Sequence, residues 1–341
     1  FMSWTILVTG GAGFIGSNFV RYLLEKYPGY RVINLDKLTY SGNLNNLKDV
    51  ARDPRYEFVH GDIAEESVVF PLVQRSDAVV NFAAESHVDR SIADPAVFLR
   101  TNIEGPHVLL EASRKSGVKR FVQISTDEVY GEVMTGSSRE TDRLAPRSPY
   151  SASKAGGELL VQSYHVTFGV PTLVTRGSNT IGPYQYPEKV VPLFITNALD
   201  DRPLPIYGPG TAVRDYIHVV DHCRGIDQVL HHGVEGEVYN IGADNSVNTV
   251  DLASAIVDYL GKPRALLQHV QDRPGHDQRY SVDSGKLRKL GWNLSYTFQD
   301  ALEETIRWYR DNREWWEPIK KGGYARWYNQ HYKIRETPHE S

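Results

Sequence analysis

The chain of 341 residues has a single cysteine, Cys223, and only two methionines. One thiol cannot form an internal disulfide, so stability has to come from a packed core, and a reducing compartment is the expected setting. No stretch approaches the roughly 20 consecutive apolar residues of a membrane helix, and no charged-apolar-small leader pattern opens the sequence. Basic residues are not in excess: 38 Lys and Arg stand against 42 Asp and Glu, a formal charge of -4 with no basic stripe. Internal repeats and low-complexity tracts are missing too, which sets aside solenoids and long disordered linkers. These absences argue against membrane spanning and nucleic-acid binding, and leave a cytoplasmic protein with a small-molecule substrate as the expectation.

What is present is a rhythm. Apolar runs at Thr5 to Thr9, Arg31 to Leu35, Glu57 to His60, Ala78 to Phe82 and Phe121 to Ser125 alternate with stretches of helical period. Such alternation forms a parallel sheet covered on both faces. The rhythm continues through a helix predicted from Ser148-Pro149 to about Phe168, Pro suiting the first turn, and a strand from Pro171 to Thr175. It breaks at the Pro- and Tyr-rich run Gly182 to Pro187, returns to an apolar stretch at Asp221 to Leu230, and reads as irregular beyond Gly242.

Thr9-Gly10-Gly11-Ala12-Gly13-Phe14-Ile15-Gly16 follows the first strand and opens a helix, so Gly11, Gly13 and Gly16 fit G-x-G-x-x-G in the context that gives it meaning. These glycines let the backbone turn tightly and approach a pyrophosphate at the helix N-terminus. Asp36 ends the second strand twenty residues after Gly16, where a carboxylate accepts from both ribose hydroxyls and repels a 2′-phosphate; Lys37, Leu38 and Thr39 follow it as candidate contacts. NAD is therefore favoured over NADP. Asp62-Ile63 and Phe82-Ala83-Ala84 lie at the strand ends bordering the same crevice. The expected fold is α/β: a Rossmann-type doubly wound parallel sheet, residues 1–178 and 217–244, with a smaller, discontinuous α/β lobe, residues 179–216 and 245–330, and a peripheral tail, 331–341.

Thr126-Asp127-Glu128, just past the fifth strand, is followed by Tyr150-x-x-x-Lys154. A lysine four residues after a tyrosine on one helix shares its face, where the ammonium favours the phenolate. Such a phenolate can take a hydroxyl proton while hydride leaves the carbon. Two adjacent carboxyls add an acid and a base, which a simple alcohol dehydrogenase does not require, and the combination points to oxidation coupled to elimination. Strand alternation sends neighbouring side chains to opposite faces, so both carboxyls meet one substrate only if the chain leaves the sheet before them.

At these residues the sequence resembles the extended short-chain dehydrogenases, and more narrowly the nucleoside-diphosphate-glucose 4,6-dehydratases of the dTDP-glucose type. The resemblance rests on Ala83 to Ser91, Ser125 to Gly131, Ser148 to Lys154, Pro187-Glu188-Lys189, Val213 to His218 and Asp272 to Asp277. It implies that Tyr150 takes the C4 hydroxyl proton while C4 gives hydride to NAD⁺. Glu128 then takes the C5 proton, Asp127 protonates the departing C6 hydroxyl, and hydride returns to C6. It further implies that Thr126 bonds the C4 oxygen, that Lys154 holds the nicotinamide ribose, and that Ser86 and Thr101 are substrate and cofactor contacts.

A nucleotide-sugar carries a pyrophosphate, for which Arg214 offers a planar fork and Lys189 a point charge. The resemblance adds Asn179, Glu188, Val190, Pro205, Ile206, Tyr207, Asn248, Asp272, Arg273 and His276 as substrate-lining positions, Tyr207 by stacking on the base. Where many relatives read Cys-Ser-Asn-Asn-Tyr-Gly-Pro, this chain has Gly177-Ser178-Asn179-Thr180-Ile181-Gly182-Pro183, so Thr180 takes the place of an amide as the expected cofactor contact. Relatives pair through the helix bearing Tyr150, which implies a homodimer using Leu159, Leu160 and Tyr164. His218 and His222 are four apart, but no third ligand is spaced to complete a site, so no metal is expected. Trp308-Tyr309 and Trp315-Trp316 fall at helical spacing from Leu302 and Ile306 and read as packing. Nothing in the residues separates thymine from uracil, so UDP-glucose remains an alternative substrate. A 4-epimerase, which releases no water and has no use for Asp127, and a non-catalytic NAD-binding scaffold also remain.

Overall fold

The computed structural model describes residues 3–272 and 275–322; Arg273 and the tail 331–341 lie outside the described residues. Six strands, β1 (Thr5–Thr9), β2 (Arg31–Asp36), β3 (Tyr56–His60), β4 (Ala78–Asn81), β5 (Arg120–Thr126) and β6 (Thr172–Gly177), join a seventh, Val238–Ile241, in one sheet. The order is seventh-β6-β5-β4-β1-β2-β3 and every pairing is parallel. Neighbouring residues of β1 serve opposite faces: Ile6 and Val8 join the core under the helices Phe14–Lys26 and Val219–His232, and Leu7 joins the core under Gly105–Ser116 and Pro149–Phe168. The doubly wound sheet expected from the rhythm is therefore present, and the strand order reverses between β1 and β4, where such sheets open a crevice.

The helix Pro149–Phe168 begins and ends as its sequence predicts. Ser148 and Ser151 form a reciprocal capping box, Pro149 takes the first turn, and Gly169 closes the helix at φ 68. The region beyond Gly242, in contrast, is not irregular. It holds the helices Thr249–Tyr259, Phe298–Asp311 and Arg313–Lys321, and a strand, Leu267–Val270, paired with Leu204–Tyr207. With the helix Val190–Leu199 these elements build a second core around Phe194, Ile206, Leu252, Ile256, Ile306, Tyr309 and Trp316. Trp308 and Trp315 pack against that core, and the ring of Tyr184 meets both edge-on at 4.8 and 5.8 Å.

Candidate active site

A cleft runs along the carboxyl ends of the strands, closed on its far side by residues between 177 and 189. At its floor Gly10 turns with φ +69 and its amide donates to Leu35 O at 2.8 Å, so the loop is pinned between β1 and β2. A Cβ there would stand 2.6 Å from the Ala83 amide nitrogen, and one at Gly16 would stand 2.4 Å from Gly10 O. Gly13, the N-cap of the helix Phe14–Lys26, meets nothing nearer than Gly10 O at 3.2 Å. The amides of the helix start thus face the cleft with no side chain between, a cradle suited to a pyrophosphate.

Asp36 is buried, and its two oxygens accept from the amides of Ala12 at 2.9 Å and Leu38 at 2.8 Å. Burial holds this carboxyl above its ordinary range, against the pull of those amides. Asp62 behaves oppositely. Burial would raise it, but Lys37 at 2.7 Å, the Ala64 amide at 3.0 Å and Arg100 at 3.3 Å hold it below the usual carboxylate range. Lys37 is thereby committed to Asp62 and does not counter the charge of Asp36. Thr39, Ile63, Phe82, Ala83, Ala84, Ser86 and Thr101 line the cleft as well. Leu38 does not: at φ 53 it turns its side chain toward the sheet core.

β5 ends at Thr126, and Asp127–Tyr130 is a short 3-10 helix whose N-cap is Thr126, its hydroxyl accepting from the Glu128 amide at 3.2 Å. The chain has left the sheet at the point the two carboxyls require. Asp127 is 3 % exposed; its Oδ1 accepts from the Thr126 hydroxyl at 3.1 Å, and Oδ2 has no hydrogen-bond partner among the described residues. Burial, then the charges of Glu128 and Asp215, push its pKa up to about 8, with the Thr126 hydroxyl and Arg214 acting against them. Its surroundings therefore favour the protonated form of Asp127.

Tyr150 and Lys154 lie one helical turn apart, both buried and both lining the cleft. Lys154 Nζ donates to Ile124 O at 2.6 Å, and burial brings its pKa down to about 8, with Glu158 acting in the other direction. Burial pushes the Tyr150 phenol well up, Glu128 and Asp127 add to the shift, and the Thr126 hydroxyl opposes it. Lys154, expected to lower Tyr150, does not contribute to this shift; burial and the two carboxyls set its direction.

On the opposite wall, Lys189 Nζ donates to Ser86 O at 2.6 Å. Glu188 accepts from Arg90 Nε at 3.0 Å and Nη2 at 2.9 Å, and the Arg90 guanidinium lies 3.9 Å from the centroid of the Tyr40 ring. Asn179 and Thr180 line the cleft from a short strand, Asn179–Ile181, paired with Tyr216–His218. The remaining candidates stand outside the cleft lining. Ile206 is fully buried in the lobe core, and Val190 packs beside it. The Tyr207 hydroxyl donates to Asp89 at 3.3 Å, and its ring meets His276, which bonds Asp272 at 2.7 Å. Asn248 caps the helix Thr249–Tyr259 by accepting from the Asp251 amide at 2.8 Å, and Pro205 lies in the strand Leu204–Tyr207. Arg214 donates to the carbonyls of Val213 at 2.8 Å and Asp277 at 2.9 Å and lies 4.4 Å from the centroid of the Tyr280 ring; its charge still reaches Asp127.

Sequence reasoning missed the Arg90-Glu188-Tyr40 group and the place of His222 in the cleft lining. Arg90 and Tyr40 carry no motif signal of their own, since their partner stands 98 residues from Arg90. His218 and His222 serve different neighbours: the His218 ring stacks on Tyr296 at 3.9 Å, and His222 Nδ1 is 2.7 Å from the Thr180 hydroxyl.

A dinucleotide-type crevice with a Tyr-x-x-x-Lys pair and a buried Asp beside a second carboxyl is the arrangement of an extended short-chain dehydrogenase of the sugar-modifying class. Within that class, the family profile described as GDP-mannose 4,6 dehydratase matches residues 7–305, and the chain belongs to this family. The chain is 51% identical over 320 residues to a dTDP-glucose 4,6-dehydratase of Streptomyces niveus, covering 92% of this chain and 95% of that protein. The crystal structure of DesIV, a dTDP-glucose 4,6-dehydratase from Streptomyces venezuelae with NAD bound, superposes with a TM-score of 0.91 at 50% identity, covering 93% of this chain and 100% of that one. A UDP-glucuronic acid 4-epimerase from Bacillus cereus in complex with NAD is more distant, with 30% identity and a TM-score of 0.85 over 90% of this chain and 99% of that one. The resemblance read from the motifs thus holds.

Proposed function

We propose that this chain is a dTDP-glucose 4,6-dehydratase that keeps NAD bound through its turnover and forms a 4-keto-6-deoxy sugar. The observation that carries this reading is Asp127, a buried carboxyl kept protonated beside Glu128 and one strand-end from Tyr150. An epimerase moves no hydroxyl off carbon and needs no such acid.

The residues fit the cofactor. The glycine cradle takes the pyrophosphate, Asp36 the adenine ribose, and Lys154 the nicotinamide ribose. Bound NAD supplies an acceptor for the hydride that leaves C4 and later returns to C6, together with the positive charge that favours the Tyr150 phenolate. Tyr150 takes the C4 hydroxyl proton, with Thr126 holding that oxygen. The resulting C4 ketone acidifies C5, and Glu128 removes the C5 proton. Asp127 gives its proton to the C6 hydroxyl, which departs as water, and the proton held by Glu128 returns to C5 as hydride is delivered to C6. Lys189, Asn179 and Glu188 hold the nucleotide-sugar from the lobe side and Ser86 from the sheet side, and Arg214 sets the charge around Asp127. Val190, Pro205, Ile206, Tyr207, Asn248, Asp272 and His276 stand behind that lining, and Arg273 is kept as a substrate contact on the resemblance alone.

The same reading assigns residues 1–178 and 217–244 to the cofactor domain and 179–216 and 245–330 to the substrate lobe. It places the enzyme in the cytoplasm, as a homodimer through the helix Pro149–Phe168. Leu159 and Phe168 are 55% and 52% exposed there, whereas Tyr164 is buried within the protomer and bonds Glu111 at 2.8 Å. Incubation with dTDP-glucose and, separately, UDP-glucose tests the function by mass spectrometry. Loss of one water from dTDP-glucose is expected; a product of unchanged mass contradicts the reading.

A further inference from the structure

One buried polar atom in the cleft has no part in this chemistry. His222 is 2 % exposed and lines the cleft, and its Nε2 has no hydrogen-bond partner among the described residues. Buried polar atoms are rarely left unpaired, so one facing a ligand crevice points to a ligand. The ring is held on two sides. Nδ1 is 2.7 Å from the Thr180 hydroxyl, which also reaches the Ser178 carbonyl at 3.3 Å. Beneath it lies Gly177, where a Cβ would stand 2.5 Å from His222 Cε1 and 2.7 Å from Nε2. The ring occupies the space a side chain at position 177 would take.

Gly177 is the register partner of Thr126 across β5 and β6, so His222 sits one strand away from the reacting end of the cleft. Burial brings its pKa down to about 4, so at neutral pH the ring is uncharged and does not repel a pyridinium cation. A primary carboxamide offers both a donor and an acceptor, and therefore satisfies Nε2 in either tautomer. Gly177 and Thr180 are also two of the three positions at which this chain departs from the Cys-Ser-Asn-Asn-Tyr-Gly-Pro run, and both touch this one ring.

We propose that Gly177, Thr180 and His222 act as one unit that retains the cofactor by its nicotinamide carboxamide: Nε2 of His222 makes the contact, Thr180 fixes the ring, and Gly177 leaves room for it. This rests on the NAD reading above and assigns the unit a positioning role. The test is NAD⁺ affinity, titrated on stripped full-length protein, with the thermal midpoint read in parallel without cofactor. Thr180→Val keeps the shape and removes the hydroxyl, and weakens NAD⁺ binding about tenfold, the loss of one buried hydrogen bond. Thr180→Ser, which keeps the hydroxyl, stays within about twofold. Gly177→Ala displaces the ring and weakens binding comparably, yet adds nothing in a His222→Ala background, because the two changes remove one interaction. Unchanged NAD⁺ affinity in Thr180→Val overturns the proposal, whether or not its thermal midpoint falls, as does full additivity of Gly177→Ala and His222→Ala. Should Thr180→Val not fold, His222→Gln carries the same comparison. Wild-type protein that binds no NAD⁺ would instead refute the cofactor reading itself.

Discussion

The two walls of the cleft are built from different kinds of interaction. The cofactor wall is largely backbone, and its partners are near in sequence or on neighbouring strands: Gly10 to Leu35, Ala12 and Leu38 to Asp36, Ala64 to Asp62. The substrate wall is side-chain chemistry across the fold: Lys189 to Ser86 spans 103 residues, and Arg90 to Glu188 spans 98. The first wall is set once the sheet forms, because these amides tie its loops to the ends of neighbouring strands. The second exists only when the lobe has docked. Chemistry sits at the seam, on the first wall, with Asp127 and Glu128 facing across to the second.

That contrast can be broken at the seam first. Asp127→Asn leaves the sheet and cofactor wall intact but removes the acid, and dehydration falls by about 10²–10⁴-fold in steady-state assays. Wild-type activity holds below the Asp127 pKa and declines as pH rises through about 8, since the protonated form is the working one. Any alkaline decline that survives in Asp127→Asn belongs to Lys154, whose pKa is also about 8. The same proton has a stability consequence. The unfolded chain releases it near pH 4, the folded protein keeps it to about 8, so Asp127 costs stability progressively as pH rises between those values. Asp127→Asn is therefore more heat-stable than wild type at alkaline pH, read as a higher thermal midpoint.

How much of each wall was legible follows from the same difference. The glycine run, Asp36 and the strands β1 to β5 could be read because their signals are local: period, turn residues, and a carboxylate at a fixed distance from a loop. The helix Pro149–Phe168 was legible from both ends, through Ser148 and Pro149 at the start and Phe168 at the close. The lobe was not. Its helices beyond Gly242 are brought together by tertiary packing of Leu252, Ile256, Ile306 and Trp316 against Phe194, and no single segment shows that partner. Arg90 gives no sign in sequence that Glu188 is its counter-ion, and Lys154 gives none that its ammonium rests on Ile124 O. His222 was weighed as a metal ligand because its spacing from His218 is visible, whereas its contact with Thr180 is not.

Gly10→Ala sharpens the backbone half of the comparison. It places a Cβ 2.6 Å from the Ala83 nitrogen at a φ of +69, and the left-handed conformation alone costs about 1–2 kcal/mol. The expected result is protein that purifies without cofactor and melts earlier. Asn248→Ala gives the smallest effect. Losing its cap to the Asp251 amide costs about 1 kcal/mol of stability, read as a lowered denaturation midpoint.

The most direct test of the central claim is a single turnover of Glu128→Gln with dTDP-glucose, followed by nicotinamide absorbance. In the proposed mechanism, oxidation at C4 needs Tyr150 and Lys154, whereas loss of the C5 proton needs Glu128. Reduced cofactor should therefore build up on the enzyme and persist, with no water lost from the sugar. Full dehydration activity in this variant, with no reduced cofactor accumulating, would remove Glu128 from the mechanism and contradict the division of labour between the two carboxyls.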